Sequence, residues 1–261
     1  MRAQSQSSSI RTRRFRPRSS AAHQPQWTCR EVLRRLRSLG TTRNVEGMAR
    51  FGIRAKKVYG VSKPKMDLLA REIGRNRGLA LQLWDSGVHD ARILAGMIDD
   101  AAQVTAAQME KWVRVFDNWD VCDGTCCHLF VFCKPVWKKA VEWSRREEEF
   151  VKRAGFALMA YLAYRDKTAS DSKFLKLLSI IERKANDDRN FVRKAVNWAL
   201  RNIGKRNLRL NRAAIRAAER IRGQGSRAAR WIAADALREL RSDAVQHRLR
   251  RKATRFDSSH G

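Results

Sequence analysis

The chain has 261 residues, and 56 Lys plus Arg against 26 Asp plus Glu give it a formal charge of +30 and a pI near 11.3. That length is ample for a hydrophobic core, and an apolar fraction of 43% puts the charge on a folded body rather than on a disordered tail alone. The balance points to a phosphate-rich partner such as DNA or RNA, and no apolar run is long enough for a membrane-spanning helix.

Residues 1–26 carry no acid, many Ser and Arg, and two Pro. Such a segment cannot bury a core, so residues 1–28 are expected to be a disordered basic arm. The arm lacks the apolar stretch of a secretory signal. A nucleic-acid-binding arm or an overlong start of the reading frame fits better than an organellar transit peptide, whose composition it shares. The folded domain is expected over 29–245, and 246–261 as a basic tail.

Beyond the arm the periodicity is helical almost throughout. Apolar stripes run through Val32, Leu33, Leu36, Leu39; Leu68, Leu69, Ile73; Leu94, Ile98; and Val113, Phe116. Later stripes are Phe156, Met159, Leu162; Leu175, Leu178, Ile181; Val196, Ala199, Leu200, Ile203; and Trp231, Ala234, Leu237, Leu240. The run Leu129-Phe130-Val131-Phe132 reads equally as helix or strand. Gly, Pro and polar clusters predict breaks at 60–64, 75–78, 99–105, 134–135, 166–172, 186–190, 204–207 and 223–226. Helices of about 10–18 residues in antiparallel pairs follow.

Phe150-Val151-Lys152-Arg153-Ala154 reappears as Phe191-Val192-Arg193-Lys194-Ala195, 41 residues later. Asp90-Ala91-Arg92 and Arg227-Ala228-Ala229-Arg230 echo it. A period near 40 in helix pairs predicts an all-α superhelix of HEAT-like units, with an ordinary α-bundle as the alternative. Its concave face, lined with Arg and Lys, would fit a nucleic-acid duplex.

The charge is interrupted. Residues 81–123 hold Asp85, Asp90, Asp99, Asp100, Glu110, Asp117, Asp120 and Asp123 against Arg92, Lys111 and Arg114. Within this stretch Trp119 and Asp123 stand one turn apart on one helix face. Asp120 reads as a surface or capping residue. Cys122, Cys126 and Cys133 fall at i, i+4 and i+11, one face of a helix continued through the segment, which suits buried thiols. With Cys127, Cys29 and His128 they lack the paired Cys-x-x-Cys spacing of a zinc site, and His89 and His128 read as structural histidines.

Several segments occur in the order found in the DNA alkylation repair family, the AlkD-like HEAT-repeat DNA glycosylases, which this sequence resembles over roughly residues 30–245. They are Met48-Ala49-Arg50-Phe51, Gly60-Val61-Ser62-Lys63-Pro64, Leu83-Trp84-Asp85, Asn118 to Asp123, Phe150 to Ala154, and Phe191 to Arg201 with Trp198 inside. The resemblance implies a lesion site of Trp119, Asp123 and Arg153, with Trp198 beside the DNA backbone. Phe51, Lys194, Arg193 and Lys152 are the further DNA contacts expected. Phe51 stands where some relatives carry tyrosine, and Met66 or Asp67 where Arg is common.

The activity implied is that of a monofunctional glycosylase of the 3-methyladenine and 7-methylguanine type, acting without a base-flipping pocket and without metal or organic cofactor. A purine alkylated at N3 or N7 is cationic and already a good leaving group. A carboxylate near the sugar, here Asp123, would stabilise oxocarbenium character and orient water. Trp119 would pack on the sugar or the cationic nucleotide, and Arg153 would grip a phosphate. The partner is double-stranded DNA bearing alkylated bases, with no membrane and no obligate protein partner. A monomer in the cytoplasm, at the nucleoid, is expected. The alternative is a non-catalytic helical-repeat scaffold that holds DNA or RNA by charge.

Overall fold

The computed structural model describes residues 27–257. Its first helices are α1 (Cys29–Leu39), α2 (Thr42–Arg50), α3 (Lys63–Ile73), α4 (Arg77–Asp85), α5 (His89–Ile98) and α6 (Ala106–Val113). They continue with α7 (Trp119–His128), α8 (Val136–Trp143), α9 (Glu149–Arg165) and α10 (Asp171–Arg183). The last four are α11 (Asn190–Gly204), α12 (Leu208–Arg222), α13 (Arg227–Leu240) and α14 (Asp243–Asp257). A short 3-10 turn, Phe130–Phe132, follows α7. Among the described residues there is no strand, and no helix is long and apolar enough to cross a membrane.

The helices start where polar side chains can take up their first free amides. Thr28 and Glu31 form a capping box, and Thr41, Asn76, Thr105, Asn118, Asn207 and Ser226 each accept from a first-turn N–H. All eight predicted breaks fall at helix boundaries. Five further breaks fall outside those predicted: residues 40–41, Gly87 at φ 70°, residues 114–118, residues 144–148 and residues 241–242.

The helices form two layers of a solenoid. α5, α7, α9, α11 and α13 lie side by side in one, with α9 against α11 the most extensive contact. α4, α6, α8, α10 and α12 form the other. Trp84 of α4 stacks on Trp112 of α6 at 3.8 Å between ring centroids, and Phe130 links Trp112 to Trp143 of α8. Glu110 of α6 then accepts from Trp143 Nε1, Lys139 and Arg146. Trp137 meets Phe174 of α10 edge-on, and Arg220 of α12 pairs with Glu182 of α10. The HEAT-like stack, rather than a bundle around one axis, is the arrangement found.

Gly60 and Gly155 are among the glycines that are sterically required. Gly60 adopts φ 76°, and a Cβ there would stand 2.7 Å from the Thr41 carbonyl oxygen. A Cβ at Gly155 would stand 2.4 Å from the Ser144 backbone nitrogen, where α9 crosses the end of α8.

Some sequence-based positions shift. Phe116 is buried but lies in the loop after α6, because that helix ends at Val113. Cys133 is buried but beyond α7, which stops at His128, so the three thiols do not share one helical face. The α13 stripe holds in its second half only: Leu237 and Leu240 face the core together with Ile232, Ala233 and Ala236, while Trp231 and Ala234 are exposed. Leu68 is likewise exposed. At the C-terminus residue 245 falls inside α14, which packs on α12 and α13 through Val245 and Leu249. The expected arm, Met1 to Gln26, lies outside the described residues.

Candidate nucleic-acid interface

The start of α7 is fixed before any chemistry is considered. Asn118 is fully buried; its Oδ1 accepts from the amides of Asp120 and Val121. Its Nδ2 reaches Asp117 Oδ1 at 2.7 Å and His89 Nδ1 at 3.4 Å. His89 Nε2 lies 3.1 Å from Asp120 Oδ2. His89 and Asp120 are therefore structural partners that tie α5 to α7. In the sequence Asn118 stands out as part of the family segment but not for its capping role, although an Asn just before a helical run is a capping signal.

Trp119 opens α7, and its Nε1–H donates to the Phe51 carbonyl oxygen at 2.9 Å. The Phe51 ring is 74% exposed, and the following Gly52 lies against the ring of Phe191. The turn after α2 thus reaches from α7 to α11. A mainly apolar cleft of about 560 Å³ lies beside it, lined by Met48, Phe51, Ile53, Trp119 and the basic Arg43 and Arg50.

One turn into α7, Asp123 meets Arg153 of α9 in a bidentate pair. Arg153 Nε donates to Oδ1 at 2.8 Å and Nη2 to Oδ2 at 2.6 Å. The remaining arm of the fork, Nη1, donates to the Phe191 carbonyl oxygen of α11 at 2.6 Å. Three adjacent inner helices are thereby joined at one guanidinium. The Asp123 side chain is 16% exposed. Burial raises its carboxyl above the ordinary range, and the Arg153 guanidinium opposes that rise. Both carboxylate oxygens thus meet a permanent cation in two-point contact.

On α11, Trp198 stands edge-on to Tyr161 of α9 at 4.9 Å. Tyr161 belongs to the same neighbourhood as Asp123: burial, then Cys127 and Asp123, raise its hydroxyl pKa. Nothing in the sequence singled it out, because its relation to Trp198 crosses between helices. Lys194 is exposed on α11. Arg193 is half-buried, with its guanidinium 4.9 Å from the Trp231 ring and bonded to Asn190. Lys152 is placed differently from the expectation. It is 3% exposed and its Nζ is taken up by Glu147 and Asp187, so it does not face a partner strand.

The cysteines are packed rather than poised for reaction. Cys122 and Cys126 point their thiols at the Phe150 and Ala154 carbonyls of α9, and burial pushes the Cys133 thiol up to about 12. Among the described residues no three His, Cys, Asp or Glu side chains converge as metal ligands.

The structure thus brings Trp119, Asp123, Arg153, Phe51 and Trp198 to neighbouring positions along α7, α9, α11 and the turn after α2. The sequence model of a family described as DNA alkylation repair enzyme matches residues 32–240. Among solved structures, one is described as "A new family of proteins related to the HEAT-like repeat DNA glycosylases with affinity for branched DNA structures". It is similar over 74% of this chain and 83% of its own, at 22% identity and a TM-score of 0.67. No curated protein matches.

Proposed function

The chain belongs to the DNA alkylation repair enzyme family, and from that premise we propose that it hydrolyses the N-glycosidic bond of cationic N3- or N7-alkylated purines in duplex DNA. The observation that carries this reading is the buried Asp123–Arg153 pair one turn from Trp119. A lesion base that is already cationic needs no strong acid to leave. What accelerates departure is a fixed negative charge near the sugar, in a site poor in water. Asp123 supplies that charge and is the catalytic residue, stabilising the oxocarbenium character and positioning the attacking water. Arg153 is the positioning residue: its fork aligns the carboxylate and ties it to α11. This departs from its expected duty as a phosphate clamp, which falls to the exposed Lys194 and to Arg193. Trp119 and Trp198 give the sugar and the cationic nucleotide aromatic surfaces.

The substrate is double-stranded DNA, held by the helices from α1 to α14, with the basic N-terminal arm as an auxiliary contact. The protein acts as a monomer at the nucleoid, without a cofactor. A second reading, DNA binding without turnover, is favoured by one observation: both Asp123 carboxylate oxygens are engaged by Arg153. The similar solved structure is described by an affinity for branched DNA, which extends that reading to branched substrates. Incubation with methylated duplex DNA separates the two. The glycosylase reading expects free 7-methylguanine or 3-methyladenine; bound DNA with no free base establishes the scaffold.

A further inference from the structure

A recess of about 620 Å³ lies at the far end of the inner helices, between the C-terminal ends of α9 and α11 and the face of α14. Tyr164, Lys167, Lys205, Arg206, Arg248 and Lys252 line it. Two of the cations are committed. Lys205 pairs with Glu239, and Arg206 donates to the Ala163 and Ala169 carbonyls while lying 4.4 Å from the Phe174 ring. Lys167, Arg248 and Lys252 have no carboxylate partner among the described residues. Lys167 instead lies 5.1 Å from the Tyr164 ring, which is 63% exposed at the rim. Burial, then Arg248, Lys167 and Arg206, lower the pKa of Lys252, so these like charges do act on one another.

Helix C-termini attract cations through the macrodipole, and that accounts for Lys205 and Lys167. It does not account for Arg248 and Lys252, which a different helix carries into the same space. Glu239 answers Lys205, and Asp166 and Asp171 act on Arg206, but cations brought together without a paired carboxylate, as Lys167, Arg248 and Lys252 are, form a site for an anion. The recess is also aligned with the candidate lesion site. Arg153 and Tyr164 are eleven residues apart on α9, as are Lys194 on α11 and Lys205 at its C-terminal cap, which returns each pair to the same helix face within about 20°. The separation along the axis is about 16 Å, the rise of about five base pairs. α14 follows the last residue matched by the family, 240, so Arg248 and Lys252 lie in a part of the chain that the family match does not cover.

We propose that this recess is a second phosphate-binding site, in which Lys167, Arg248 and Lys252 hold a phosphodiester of the DNA strand running away from Asp123. Tyr164 supports it, keeping Lys167 in place and offering the adjoining sugar an apolar surface. The proposal rests on DNA being the ligand but not on turnover, so base release and this site can fail separately.

The test measures duplex affinity of the full chain against salt concentration. One variant is Arg248→Gln with Lys252→Gln. The other is Arg250→Gln with Arg251→Gln, which removes the same charge from the same helix at exposed positions outside the recess. The recess pair should weaken binding about tenfold near 0.1 M salt and flatten the log–log salt slope by about 1 to 2. The control pair should change both little. Equal losses in the two variants would show diffuse charge rather than a site, and no loss in either would remove the recess from DNA binding. Titration with inorganic phosphate distinguishes the ligand's source: saturable heat lost in the recess variant, with duplex affinity unchanged, would make this a free-phosphate site and overturn the proposal.

Discussion

Asp123 and Arg153 each owe their state to the other. A mostly buried carboxylate is costly alone, and so is a mostly buried guanidinium; together, with Nη1 on the Phe191 carbonyl, they are satisfied. Arg153→Gln should therefore lower unfolding free energy by about 3–5 kcal/mol, because it strands the carboxylate. Adding Asp123→Asn to that variant should restore part of the loss in a double-mutant cycle by denaturant unfolding; strictly additive effects contradict the pair. Glu110 sets a pH signature. Burial alone would raise its carboxyl, but Trp143, Lys139 and Arg146 hold it at about 2 against an ordinary 4.5. A depressed carboxyl stabilises the fold above its unfolded value and loses that contribution as pH falls. The advantage of the native protein over Glu110→Gln, up to about 3 kcal/mol at neutral pH, should vanish between about pH 4.5 and 2. An unchanged difference across that window contradicts the assignment. Trp119 and Asp123 were legible as a unit because both sit on one helix. Arg153 was legible as a neighbour only through the family resemblance, and its pairing with Asp123 depends on how α9 packs on α7, which no local pattern encodes.

At the scale of elements, helix ends were readable because Gly, Pro, Asn and Ser act on the backbone beside them. Missed ends, such as 114–118 and 144–148, carry no Gly or Pro. The α13 stripe failed in its first half because Trp231 looks like a core residue; instead it is exposed and carries Arg193 over its ring. The crossing of α8 and α9 was not readable either, although it explains Gly155. A methyl group there meets Ser144 backbone, which cannot swing aside as a side chain does. Gly155→Ala should cost about 1–3 kcal/mol by denaturant melt despite the better helix propensity of Ala. A neutral or stabilising result would mean that α9 moves away from α8 without penalty. Because Gly155 lies two residues from Arg153, loss of the Asp123 pairing geometry should accompany the destabilisation.

For the whole molecule, the 41-residue echo marks a real structural relation. Phe150 and Phe191 begin neighbouring inner helices, and their rings lie 5.5 Å apart. The excess of basic residues predicts how binding responds to salt: log affinity for a duplex should fall linearly with log salt, with a slope steeper than about −3 if several phosphates are contacted at about −0.9 each. A slope near zero would contradict binding through the backbone. Charge alone, however, gives a scaffold as readily as an enzyme, and the distinction returns to one carboxylate. Single-turnover release of 7-methylguanine from methylated duplex, measured for the native chain and Asp123→Asn with DNA affinity followed in parallel, addresses it most directly. With Asp123 as the catalytic residue, the native chain releases the base, the variant loses about 100-fold or more, and the two bind DNA with nearly equal affinity. Equal release rates in the two proteins would contradict that role.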